Sequence, residues 1–273
     1  MRQIKPFRRI LLKSTLVLSL LPCALQSKIQ AADTSTPASM AEQYLLAAAN
    51  RERQSRGLQP LRRDPVLARA AAFHARQMAD HADISHGFPG EPELADRAAT
   101  AGVRFSLISE NVGEAPDSTE IHEMWMQSEG HRENLLDPNV NVVGISVIVR
   151  DDQFYAVEDF VSTVETLSIN QQETAVANII ASSGGAIGNT LAVNTSEPAI
   201  QSARQTCSMH TGYAGSNRPW FVMRYTAADL NHLPSPLQAR LGSGKYHQAA
   251  IGACSSRDGG PFSTYSIAVL LYP

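Results

Sequence analysis

The sequence predicts an α+β chain in two parts: a layered helical first half that closes on a strand hairpin, then a smaller β-rich or α+β module. Three observations carry this. Apolar residues recur at helical spacing between Met40 and Ser128; two apolar runs flank the polar turn "RDDQ" between Val142 and Val161; and after residue 165 the composition shifts to Gly, Ser and Thr before short β-like runs appear. Helices that lead into paired strands bury their stripes against the sheet, which gives layers. A length of 273 residues accommodates two ordinary domains.

Each element has a local reason. Met40, Tyr44, Leu45 and Ala48 share one helical face, and Gly57 can end that helix. Asp64 can cap a second helix with Pro65 at its first position, and Leu67, Ala71, His74 and Met78 then fall on one side, to about His81. A shorter helix is expected from Pro92 to Thr100, closed by Gly102, and a fourth from about Ser118 to Ser128 with Ile121, Met124 and Trp125 on its stripe. "VVGISVIV" and "FYAVEDFV" read as an antiparallel hairpin. In the second part, "WFVMRYT", "KYHQAAIGAC" and "TYSIAVLLY" read as strands and "LPSPLQARL" as a short helix. No internal repeat is visible along the chain.

The first 31 residues carry Arg2, Lys5, Arg8, Arg9 and Lys13, then the apolar run "LVLSLLPCAL" and a small-residue exit, the layout of an export signal. The run is short for a membrane span, so the mature chain is expected to be secreted or periplasmic, with no span. Cys23 follows Pro22 and is read as part of the leader. Losing six basic and no acidic residues takes the formal charge from −3 to −9. An acidic chain with no Lys/Arg cluster lacks the footprint that a phosphate backbone requires, which disfavours nucleic acid. Cys207 and Cys254 remain and are expected to pair, the alternative being two separate buried thiols. The organisation is therefore a leader at 1–31, a first domain at 38–164 and a C-terminal module at 166–273.

Six blocks in the first domain, "NRERQSRGLQPLRRDPVLARAAAFHARQMA", "SHGFPG", "SENVG", "MWMQSEGHRENLL", "NVVGISVIV" and "YAVEDF", occur in an order that resembles the CAP superfamily (cysteine-rich secretory protein, antigen 5, pathogenesis-related) in its bacterial SCP-like extracellular form. The resemblance implies a three-layer α-β-α sandwich with a central antiparallel sheet and an open cleft. In eukaryotic members that cleft gathers two His and two Glu, in some cases around a divalent metal. Carried over, these become His86 and Glu110. The second Glu corresponds to Ser128, and the strand His falls at Phe154; the "GHRxN" block instead offers His131.

The residue chemistry stands beside that resemblance. Imidazoles and a carboxylate are ligand types that zinc or a similar cation accepts, which makes His86, Glu110 and His131 the expected metal set. Glu110 is expected just before a strand or turn, His86 on a loop, and Gly130 is read as turning the chain so that His131 reaches the cleft while Asn134 holds the adjoining loop. The competing reading is a polar hydrogen-bond cluster that only secures loops. Arg132 is read as solvated, His74 as buried and donating to a backbone carbonyl, His81 as exposed, and Met124 and Trp125 as core. The His-Glu opening at His122 lacks a zincin's second His; no Gly-x-Ser-x-Gly elbow occurs; and "GSGK" at 242–245 lacks the first glycine of a phosphate loop, that position being Ala239.

These readings converge on a secreted binding module whose cleft, built from His86, Glu110, His131, Ser128 and Asn134, takes a divalent cation and a small or lipid-like ligand at the cell envelope. The alternative is a metal-assisted extracellular hydrolase, a protease or cell-wall hydrolase, with Glu110 as general base. A third reading is a purely structural or partner-binding role.

Overall fold

A computed structural model describes residues 38–184, 191–255 and 260–273. The export-signal reading of residues 1–31 lies outside them. The first half runs α1 (Met40–Ser55), β1 (Arg62–Arg63), α2 (Pro65–His81), α3 (Leu94–Ala101), β2 (Phe105–Ala115), α4 (Ser118–Gln127), α5 (Glu129–Leu136), β3 (Val142–Arg150) and β4 (Gln153–Thr163). Strand order is β1-β3-β4-β2, antiparallel except where the two-residue β1 runs beside β3. Leu45, Ile121, Trp125 and Leu135 from α1, α4 and α5 pack with Ile145, Ala156 and Phe160 on one face. On the other, Ala71, Ala75 and Met78 of α2 pack with Val112 and Val157, and Leu67 and Ala98 with Val142 and Val161. The result is an α-β-α sandwich.

Local sequence sets the boundaries. Asp64 accepts from the amides of Val66 and Leu67 to cap α2, and Ser39 with Glu42 forms a capping box on α1. One element departs from expectation. "SLISENVGEA" lies within an eleven-residue strand, so Glu110 is strand-borne rather than before a strand. Its polar residues hide the β pattern, because their neutralising partners lie elsewhere in the chain. Met124 also corrects the reading of it as core: it is 39% exposed, whereas Trp125 is buried and donates Nε1–H to Val112 O at 2.8 Å.

The second half runs α6 (Ile169–Gly184), β5 (Ala192–Val193), α7 (Glu197–Ser208), β6 (Phe221–Ala227), α8 (Ser235–Leu241), β7 (Gln248–Cys254) and β8 (Tyr265–Tyr272). Its sheet order is β5-β7-β8-β6, with β5 parallel to β7 and the other pairs antiparallel. A repeat absent from the sequence is thus present in the topology: helix, short parallel strand, helix, edge strand, then a final antiparallel pair, twice over. Cys207 on α7 is bonded to Cys254 on β7 with their Cα atoms 5.8 Å apart. The halves meet where Ser263 N donates to Phe105 O at 2.7 Å and Tyr265 OH to Glu165 O at 2.7 Å.

Candidate functional site

The site straddles β2, an edge strand of the first sheet. Side chains alternate along a strand, so Glu110 faces α2 and α3 with Val112, while Asn111 faces the layer of α4 and α5. Glu110 is buried, and both carboxylate oxygens are engaged. Oε1 lies 2.9 Å from Nδ1 of His86, and Oε2 accepts from the guanidinium of Arg97 on α3. Arg97 also lies 3.5 Å from Glu91, whose Oε1 is 2.7 Å from Nδ1 of His74. His74 is fully buried, with Nε2 2.7 Å from Ser85 O, so α2 fixes the backbone just before His86. The side chain of His86 itself is 65% exposed.

The other wall is α5. Asn134 donates to the backbone O of Glu110 at 3.1 Å and to Asn111 Oδ1 at 3.0 Å; Asn111 in turn donates to His131 O at 3.0 Å. Buried Arg53 on α1 ties down the far end of that helix, donating to Leu135 O at 2.8 Å and Asp137 O at 2.9 Å. Gly130 is not the turning point. Ser128 is the residue with extended backbone between α4 and α5 (φ −83°, ψ 125°), and Gly130 lies inside α5. Ser128 therefore acts through the backbone break it forms. Arg132, read as solvated, is half-buried and donates to Met126 O at 2.9 Å, bridging the same break.

Electrostatics distinguish the two histidines. The hydrogen bond to Glu110 outweighs burial and raises the pKa of His86; burial, then the charge of His86, lowers that of half-buried His131. The rim therefore pairs an imidazole whose charged form is favoured with one whose neutral form is favoured. Two further acids sit on β4 beside this cluster, and the sequence reading did not single them out. Asp159 is the cross-strand partner of Glu110 and Glu158 that of Asn111; both are fully buried, and no donor reaches their oxygens. Burial, then the neighbouring Glu110, pushes Asp159 well above the carboxylate range, and burial pushes Glu158 to about 8. Both shifts favour the protonated acid, and a protonated Asp159 becomes a donor to Glu110.

The profile of the cysteine-rich secretory protein family, CAP, matches residues 46–164. Residues 46–164 form a CAP domain. Over 118 residues this region is 31% identical to the uncharacterized protein YkwD of Bacillus subtilis (strain 168), covering 42% of this chain and 46% of the relative. It is 30% identical over 121 residues to the uncharacterized membrane protein YlbC of the same organism, covering 44% and 34%. The chain thus spans less than half the length of these curated relatives. A crystal structure of an extracellular SCP-domain protein from Bacillus anthracis str. Ames shares 28% identity over 46% of this chain and 45% of that one, with a TM-score of 0.41.

Within the CAP domain, Phe154 packs with the α1/α4/α5 layer, on the face opposite Glu110, so it does not stand in for a strand histidine. Among the described residues no three His, Cys, Asp or Glu side chains converge as a metal site. The expected set of His86, Glu110 and His131 does not fit a divalent cation as folded, because the Glu110 oxygens are engaged by His86 and Arg97 and a cation there would face the guanidinium charge. A cavity of about 680 Å³ lined by Asn141, Thr163, Asn170 and Tyr265 lies at the seam between the halves and shares no residue with the histidine rim.

Proposed function

We propose that the CAP domain is a secreted binding module that recognises a hydrogen-bond-accepting, preferably anionic, group of a small or lipid-like ligand on the His86–His131 rim. The observation behind this reading is an exposed imidazole clamped from beneath by a buried Glu110–Arg97 pair. That arrangement fixes the ring and favours its charged form, leaving its outer edge to a ligand. Ile84, exposed, and Phe88, stacked on His81 at 4.4 Å, flank it and offer apolar surface beside the charge. Hydrolysis is not favoured, since Glu110 has no free oxygen with which to activate water. No step is assigned to a metal. The expectation of secretion rests on the leader-like residues 1–31; no described helix is long and apolar enough to cross a membrane.

Sodium octanoate, a carboxylate with a short apolar tail, provides the test. Titrated at pH 6 under NMR observation, it should perturb residues 84–88 and 131, and His86→Ala should weaken it about tenfold, as loss of one charge-assisted hydrogen bond predicts. Binding should also fade as pH rises through the raised pKa of His86, where the imidazolium is lost. Equal affinity in His86→Ala refutes the reading. Calorimetric titration with zinc separates the cation alternative: heat that vanishes in both His86→Ala and His131→Ala would reinstate it.

A further inference from the structure

The two sheets can be aligned through hydrogen bonds rather than through sequence. In the first, Arg62 N donates to Asn141 O and Asp64 N to Val143 O; in the second, Ala192 N donates to His247 O and Asn194 N to Ala249 O. This places Val142 on Gln248, and their cross-strand partners place Val161 on Tyr272. The faces agree as well, although the two glycines whose Cβ would run into helix backbone, Gly144 under α2 and Gly252 under α7, stand two residues apart in this register. The face that carries Asp159 over α2 corresponds to the face that carries Leu270 over α7. Stepping along the final strand then puts Asp159 on Leu270 and Glu158 on Val269; stepping across to the edge strand puts Glu110 on Val222 and Asn111 on Met223.

We propose that residues 169–272 are a second copy of the CAP-domain fold with its cleft erased, and that Asp159 and Glu158 are therefore cleft-positioning residues rather than fold residues. Four polar positions of the first copy are all aliphatic or thioether in the second, and the second sheet still forms. The fold does not require acids there. Buried carboxyls without a donor cost stability, and a position that closes equally well on leucine or valine keeps an acid for what the acid does. Asp159 stands across the strand from Glu110 and beside its carboxylate, and Glu158 stands across from Asn111, which holds α5. At these four described positions the polar groups belong to the first copy alone.

This rests on the His86 rim being a binding surface, but its test needs no ligand, so a failed octanoate titration and a failed assignment of Asp159 are separate results. In the full chain, Glu158→Val with Asp159→Leu imports the second copy's residues, and Glu158→Val with Asp159→Val guards against overcrowding by leucine. At least one pair should fold with a thermal midpoint within about 5 °C of the parent or above it. In that variant the imidazole ¹⁵N spectrum at pH 7 should show an altered His86, while Asp159→Asn, which keeps a donor on Glu110, should retain the parent pattern. Failure of both pairs to fold, or a folded pair with an unchanged His86 spectrum, overturns the proposal.

Discussion

Glu158 shows how a single residue makes stability depend on pH. The folded chain holds its proton up to about pH 8, whereas an unperturbed glutamate loses it near 4.5. Between those values the folded state binds more protons than the unfolded state, so stability is greatest below the window and declines as pH rises through it. The thermal midpoint of the parent should therefore fall between pH 5 and 8, and Glu158→Gln should flatten that slope. Asp159 is pushed in the same direction and remains in the variant, so the slope should shrink rather than disappear. Midpoints recorded at half-unit pH steps decide this; parallel curves for parent and variant would mean that Glu158 is hydrated or paired in solution. His86 differs because it is mostly exposed: its titration should govern binding more than folding.

At the scale of elements, the turn at Ser128 and the close contact at Gly144 assign opposite roles to two glycines. Gly130 lies in a helix with open space around its missing Cβ, so Gly130→Ala should stabilise by up to about 1 kcal/mol through helix propensity. Gly144 meets α2 backbone, so Gly144→Ala should destabilise by about 1–3 kcal/mol. Denaturant midpoints of the two variants test both signs; a destabilised Gly130→Ala would restore that residue as the hinge. Some of this was legible beforehand. Asp64 and Pro65 announced α2, and "VVGISVIV" with "FYAVEDFV" announced the last two strands of the first sheet, because caps and alternation are local signals. β2 was not legible, since Glu110 and Asn111 interrupt its pattern and are tolerated there only through Arg97 and Asn134. Nor was α7, whose buried face is Ala203, Thr206 and Cys207, small residues that make a faint apolar stripe. The rim histidines could be picked out as residues, but the clamp beneath His86 depends on Arg97 and Glu91, which carry no signal beyond being charged.

At the scale of the whole molecule, the question is whether the two sheets stand or fall together. The disulfide lies wholly within the second half, joining α7 to β7 across a separation of 47 residues. Such a link restricts the unfolded chain by about 4 kcal/mol in the loop-entropy model, and that stabilisation acts on whatever cooperative unit contains it. The sequence holds two tryptophans, one in each half: Trp125 is buried in the first core, and Trp220, largely exposed, immediately precedes β6. Paired Cys207→Ser and Cys254→Ser changes, made in Trp125→Phe and Trp220→Phe backgrounds, therefore let fluorescence report each half separately. Among the described residues, the second half joins the first through a short linker and through contacts around Phe105, Ser263 and Tyr265. Removing the disulfide should accordingly lower the guanidinium midpoint seen by Trp220 while leaving that seen by Trp125 nearly unchanged. A joint downward shift would mean that the halves unfold as one unit and that the second copy also supports the first. No shift at Trp220 would mean that the second sheet owes its stability to its aliphatic packing alone.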